Sequence, residues 1–175
     1  MKSHKTSYCV FTFVIACFLS ACSDSNSTRQ AAIAVSDQYA ANVAEEILLA
    51  GGNAVDAAVA TGFALAVTYI DAGNIGGGGF MLIHMDGNAY FLDYRETAPM
   101  KAHRDMFLDE NGNVAKNSTL IGPRAAGVPG TVAGFWAAHQ KFGNLSWKQV
   151  LAPAIKLARD GFIPANKLAR EVESH

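Results

Sequence analysis

The sequence predicts a mixed α/β domain of the α+β kind, carried behind an export leader. Three observations point to it. Two helical stretches divided by Gly51-Gly52 occupy roughly residues 38–67. Two strand-like runs meet at Asp86-Gly87, and two further helical stretches fill roughly 130–159. The order is strand, two helices, hairpin, two helices, which suits a sheet packed on helices.

In chain order, Ala31–Ser36 is a short apolar run of strand type. Ser36 or Asp37 can cap a helix from about Gln38 to Ala50, with Ala40, Val43, Ala44, Ile47 and Leu48 on one face. Gly51-Gly52 stops it, and Asn53 can cap a second helix through Ala54–Val67. That helix is apolar nearly all round, with Asp56 and Thr61 as its polar relief, so it belongs in a core. It is too short to span a bilayer, which takes about 20 residues. Phe80–Met85 and Ala89–Tyr94 are two strand-type runs joined by Asp86-Gly87-Asn88, and the Asp-Gly between them is a good hairpin signal. A loop-rich stretch runs from Arg95 to Pro129. Gly130–Phe142 and Ser146–Arg159 then read as amphipathic helices, the second interrupted or begun near Pro153. The final Ala169–His175 breaks off inside a charged helical pattern, and the expectation is a chain truncated at its C-terminus.

Half of the 175 residues are hydrophobic, enough for one modest core. The formal net charge is −1, so no basic excess exists to neutralise phosphates and no nucleic-acid partner is expected. All three cysteines, Cys9, Cys17 and Cys22, fall in the first 22 residues. The rest therefore carries no disulfide framework, cysteine zinc site or cysteine nucleophile. His84, His103 and His139 lack metal-ligand spacing and read as surface or strand-end histidines. Asp105/Asp109 and Glu171/Glu173 read as solvated carboxylates. No metal and no cofactor is expected, and no Gly-x-Ser-x-Gly elbow suggests a serine hydrolase.

The first residues are an address. Lys2, His4 and Lys5 precede the apolar run Tyr8–Leu19, the pattern of a signal peptide rather than of a spanning helix. Leu19-Ser20-Ala21-Cys22 resembles the lipobox of bacterial lipoproteins, in which the cysteine thiol takes a diacylglyceryl group. Residues 1–21 are then the leader, Cys22 the lipidated residue and 22–30 a polar linker. Two acyl chains anchor stably where one is marginal. The alternative is an ordinary secretory signal with an incidental cysteine. The lipoprotein reading implies a periplasmic domain anchored to a membrane, and Ser23 leans toward the outer one.

Two features carry candidate chemistry. Gly76–Gly79 gives freedom at positive φ and allows close backbone approach. A phosphate loop is excluded, because Phe80-Met81-Leu82 stand where a Lys and Ser/Thr are needed. A dinucleotide fingerprint is excluded too, since helix and strand come in the reverse order. What remains is a tight helix-to-strand connection. Arg95, in Leu92-Asp-Tyr-Arg-Glu-Thr-Ala-Pro99, offers a planar fork that can grip a carboxylate. It could equally form a structural salt bridge to Asp93 or Glu96. The residues alone leave both open.

Four segments in order resemble the large-subunit blocks of γ-glutamyltransferases. They are Gly51–Ala60, Gly73-Asn-Ile-Gly-Gly-Gly-Gly-Phe-Met81, Asp93-Tyr-Arg-Glu-Thr-Ala-Pro99 and Gly127-Val-Pro-Gly-Thr-Val-Ala-Gly134. Ala152–Phe162 continues the match, and the resemblance runs from about Ala31 to the end. It implies an incomplete αββα sandwich of the N-terminal-nucleophile hydrolases, with residues 31–175 as the N-terminal portion of the large subunit. It also implies cleavage of γ-glutamyl amides such as glutathione, through a γ-glutamyl-enzyme on the N-terminal threonine of a small subunit. That threonine, the α-amine contacts and the oxyanion donors have no positions here, so no catalytic residue is assigned and the chain alone is expected to be inactive. Arg95 matches the family arginine that binds the substrate α-carboxylate, and Glu96 would orient it. The expected partners are the γ-glutamyl substrate, the small subunit of the same precursor, and the membrane through the lipid. One departure stands out: Tyr69-Ile70-Asp71 replaces a His-Pro or similar pair of the family. The alternative function is a non-catalytic lipoprotein that reuses half of this fold to bind γ-glutamyl compounds.

Overall fold

Helix α1 (Gln38–Leu49) begins where Asp37 takes an extended conformation and its carboxylate accepts from the Ala40 amide at 2.9 Å. The computed structural model describes residues 31–164 and 169–170. Ala40, Val43, Ala44 and Ile47 form the buried face of α1. Helix α2 (Ala54–Thr68) starts on a capping box. The Asn53 side chain accepts from the Val55 and Asp56 amides, and the Asp56 carboxylate accepts from Asn53 N at 3.0 Å. As its composition predicts, α2 is the central helix, packed against α1, α3 (Thr131–Phe142) and α4 (Trp147–Asp160).

The hairpin pairs β1 (Phe80–Met85) with β2 (Asn88–Asp93) in antiparallel register, Phe80 opposite Asp93 and Met85 opposite Asn88. Its loop is two residues, Asp86 at φ 52° and Gly87 at φ 77°. Positive φ at both positions matches the right-handed strand twist, and glycine takes the second without strain. Met81, Ile83, Met85, Tyr90 and Leu92 turn toward the helices, where Tyr90 meets Phe142 with ring centroids 4.7 Å apart. Phe80, Leu82 and Phe91 lie on the opposite, exposed face.

Three expectations need correction. Ala31–Ser36 forms no strand, because this apolar run finds no ladder partner among the described residues. Pro153 neither starts nor interrupts α4. The helix begins at a Ser146–Gln149 capping box and runs through the proline, which is buried. His139 is not a surface residue but 6% exposed. Its Nε2 donates to the Leu145 carbonyl at 2.9 Å and lies 3.7 Å from Asp56 Oδ1. Asp56, the intended polar relief of α2, is fully buried. Its Oδ2 accepts from the amides of Asn53, Asn144 and Leu145, so one carboxylate fastens the α3–α4 turn to the start of α2. His84 and His103 are exposed, as expected.

Candidate functional site

The second strand delivers Arg95 one step beyond a residue that extends the ladder. Tyr94 exchanges bonds with Gly79, its amide donating to Gly79 O at 3.0 Å and its carbonyl accepting at 3.4 Å. The chain then leaves the sheet, and Thr97 bridges Val128 through both of its backbone groups. Arg95 and Glu96 are thus flanked by the glycine run on one side and by Gly127–Thr131 on the other.

The glycine run earns its composition through close approach. None of Gly76–Gly79 adopts positive φ, so the expected conformational freedom is not what the fold uses. At Gly78 a Cβ would meet Tyr94 O at 2.5 Å, Glu96 N at 2.7 Å and Arg95 Cα at 2.8 Å. Backbone lies directly on backbone there, and any side chain would push the Arg95 segment away. Gly77 O accepts from the Gly130 and Thr131 amides at 2.8 and 3.0 Å, which ties the run to the start of α3.

Asp93 Oδ1 accepts from the Arg95 amide at 2.9 Å, shaping the turn, while Arg95 Nε pairs with Glu96 Oε2 at 3.1 Å. The guanidinium carbon lies 5.9 Å from the centre of the Phe80 ring. The two sequence candidates therefore meet. The salt-bridge alternative to Glu96 is present, but it occupies only Nε. Among the described residues the terminal Nη atoms have no acceptor, and the side chain is 61% exposed. The outer edge of the fork is open to a planar anion.

Behind the glycine run a hollow of about 170 Å³ is lined by Leu65, Asn74, Gly78, Tyr94, Thr131 and Phe135. Arg95 and Glu96 lie outside it. Burial pushes the Tyr94 phenol up from its ordinary value of 10.0, so it stays protonated near neutrality and donates to Phe80 O at 3.4 Å. Among the described residues no group of three or more His, Cys, Asp or Glu gathers to hold a metal ion. Cys22 lies outside the described residues, and none of their helices is long and apolar enough to cross a membrane. Sequence reasoning passed over Asn74 and Thr131. Both sit inside blocks quoted for their glycines, and only their meeting across 57 positions gives them a role.

Solved structures define the fold class first. The chain superposes on a γ-glutamyltranspeptidase from Pseudomonas nitroreducens complexed with L-DON, with a TM-score of 0.77 and 58% identity over 82% of this chain and 43% of that one. It is equally similar to the Helicobacter pylori γ-glutamyltranspeptidase, with a TM-score of 0.78 and 47% identity over 83% and 42% of the two chains. The chain has the helix-and-strand fold of these N-terminal-nucleophile hydrolases. A family profile described as Gamma-glutamyltranspeptidase matches residues 40–175, and the chain belongs to that family. Among curated relatives, the glutathione hydrolase proenzyme of Pseudomonas aeruginosa is 61% identical over 136 residues, covering 78% of this chain and 24% of the relative. The Escherichia coli glutathione hydrolase proenzyme is 52% identical over 148 residues, covering 84% and 26%. The chain thus spans about a quarter of the length of these relatives. Both are enzymes by description, and the binding-module alternative gains no support.

Proposed function

We propose that this chain is the N-terminal portion of the large subunit of a γ-glutamyltransferase acting on glutathione, and that Arg95 captures the α-carboxylate of the γ-glutamyl group. The observation that carries the site is the divided arginine: Glu96 holds Nε, while among the described residues neither Nη atom has an acceptor and the side chain is 61% exposed. A carboxylate approaching that edge gains two parallel charge-assisted bonds. Glu96 fixes the fork so that less side-chain freedom is lost on binding. In the chemistry we infer, a threonine hydroxyl on a small subunit attacks the γ-carbonyl. The C–N bond breaks, the amine leaves with a proton, and a γ-glutamyl ester remains for water or an acceptor amine. The supporting facts are membership of the family and the description of the relatives as proenzymes.

The test joins residues 31–175 to the remaining three quarters of the Pseudomonas aeruginosa relative and compares Arg95→Lys with the parent. Lysine keeps the charge and loses the two-point grip. With charge-assisted bonds at about 1.5–3 kcal/mol each, kcat/KM for γ-glutamyl-p-nitroanilide should fall by roughly one to two orders of magnitude. The 4-aminobutyryl analogue, which lacks the α-carboxylate, should be nearly indifferent. Equal losses on both substrates would make Arg95 a structural salt-bridge residue.

We also propose that Cys22 is lipidated and that the domain works in the periplasm, on the strength of Leu19-Ser-Ala-Cys22 after a basic and then apolar leader. Cys22→Ser should move the protein from the membrane to the soluble fraction. Equal membrane association of parent and variant would remove the lipid anchor from this reading.

A further inference from the structure

We propose that Asn74 is a positioning residue for the Arg95 site, acting through the glycine run. The inference rests on the reading of Arg95 as the carboxylate-binding residue. Asn74 Oδ1 accepts from the Gly77 amide at 2.7 Å and from the Thr131 hydroxyl at 3.2 Å, while its Nδ2 donates to Ala72 O at 3.1 Å. Gly77 O in turn accepts from the Gly130 and Thr131 amides. These bonds close a ring: Asn74 to Gly77, Gly77 to Thr131, and Thr131 back to Asn74. A single side-chain oxygen thereby joins the two flanks that enclose Arg95 and Glu96.

The consequence reaches Arg95 through backbone contact. Gly78 follows Gly77 directly, and a Cβ there would run into Tyr94 O, Glu96 N and Arg95 Cα. Gly79 then pairs with Tyr94. A glycine run without such a tie has more backbone freedom than any other sequence of its length. Asn74 removes that freedom at the residue before the contact. Its side-chain hydrogen bonds go to Ala72, Gly77 and Thr131 and not to Arg95, so its effect is on where the fork is held. Being solvent-exposed, it contributes modestly to global stability, which separates positioning from folding.

The test uses the completed enzyme described above, with three variants and two substrates. Asn74→Ala removes the shared acceptor. KM for γ-glutamyl-p-nitroanilide should rise roughly three- to tenfold with kcat within about twofold, and the 4-aminobutyryl analogue should be unaffected. Asn74→Asp keeps an oxygen for both donors but loses the Nδ2 bond to Ala72 O, so it should bring KM part of the way back toward the parent. Thr131→Val removes one donor; it should raise KM by a smaller factor and add little on top of Asn74→Ala, because the two share one bond. If Asn74→Ala does not fold, Thr131→Val with Asn74→Asp carries the same comparison. Unchanged KM, equal damage to both substrates, or no rescue by Asp would overturn the positioning role while Arg95→Lys stays selective. A non-selective Arg95→Lys would sink the carboxylate reading, and the role of Asn74 with it.

Discussion

At the residue scale, the buried Asp56 is the most exacting position in the chain. Its Oδ2 collects three amides from two distant segments, and its Oδ1, which has no hydrogen-bond partner, faces His139 at 3.7 Å. Removing the buried carboxylate would leave those part-buried amides without their acceptor, and each unmet donor costs about 1–3 kcal/mol. Asp56→Ala should therefore destabilise the domain by about 3 kcal/mol or more, read as a drop in the urea midpoint at neutral pH. A loss under about 1 kcal/mol would mean that solvent reaches the amides after all. From the sequence Asp56 was the polar relief of an apolar helix, and His139 was a surface residue. Nothing local marks either, since they sit 83 positions apart and meet only once α3 folds back on α2.

The element scale shows ends doing most of the specifying. Of the four helices named among the described residues, three start on a side-chain cap, Asp37, Asn53 or Ser146; the first two were legible as polar residues before an apolar period, whereas the sequence left the start of α4 open toward Pro153. Helix α3 starts differently, on Gly130, whose amide goes to Gly77 O and not into a local cap. Its start is therefore tied to the glycine run. At the far end of α4, Asp160 stands at a helix C-terminus, where a carboxylate is disfavoured. The Arg159 side chain, and after it Lys156, hold its carboxyl down at about 2, from an ordinary 3.8. A depressed folded value stabilises above pH 3.8, and that contribution disappears as pH falls through about 2. The pair is exposed, so the effect is small. The difference in urea midpoint between the parent and Asp160→Asn should shrink steadily from pH 4 to pH 2. A difference that grows toward acid would contradict the assignment.

For the whole molecule, the hairpin is the informative element. One face closes on the helices, while Leu82 is 75% and Phe91 67% exposed on the other, with Phe80 stacked on Phe91 at 5.6 Å. An apolar face of this kind suits a second layer. The chain spans about a quarter of its curated relatives, and the proposed chemistry puts the nucleophile on a small subunit. The 175-residue polypeptide on its own should thus release no p-nitroaniline from γ-glutamyl-p-nitroanilide above a matched blank, whereas the completed enzyme should. Steady turnover by the isolated chain would require a nucleophile within it and would overturn the assigned chemistry.

The sequence by itself determined the elements and the family. Helical periods, caps and the Asp-Gly turn are local consequences of backbone sterics and side-chain reach, and the four ordered blocks carried Arg95 with them. Only the tertiary structure decided how those elements meet around Arg95. It showed that the glycines are there for contact and not for positive φ, because the reason lies on Tyr94–Glu96, about sixteen residues away. It denied Ala31–Ser36 a strand, since a strand exists only with a partner. And it joined Asn74 to Thr131 and Asp56 to Asn144 through hydrogen bonds whose partners are far apart in the chain and therefore invisible to any local pattern.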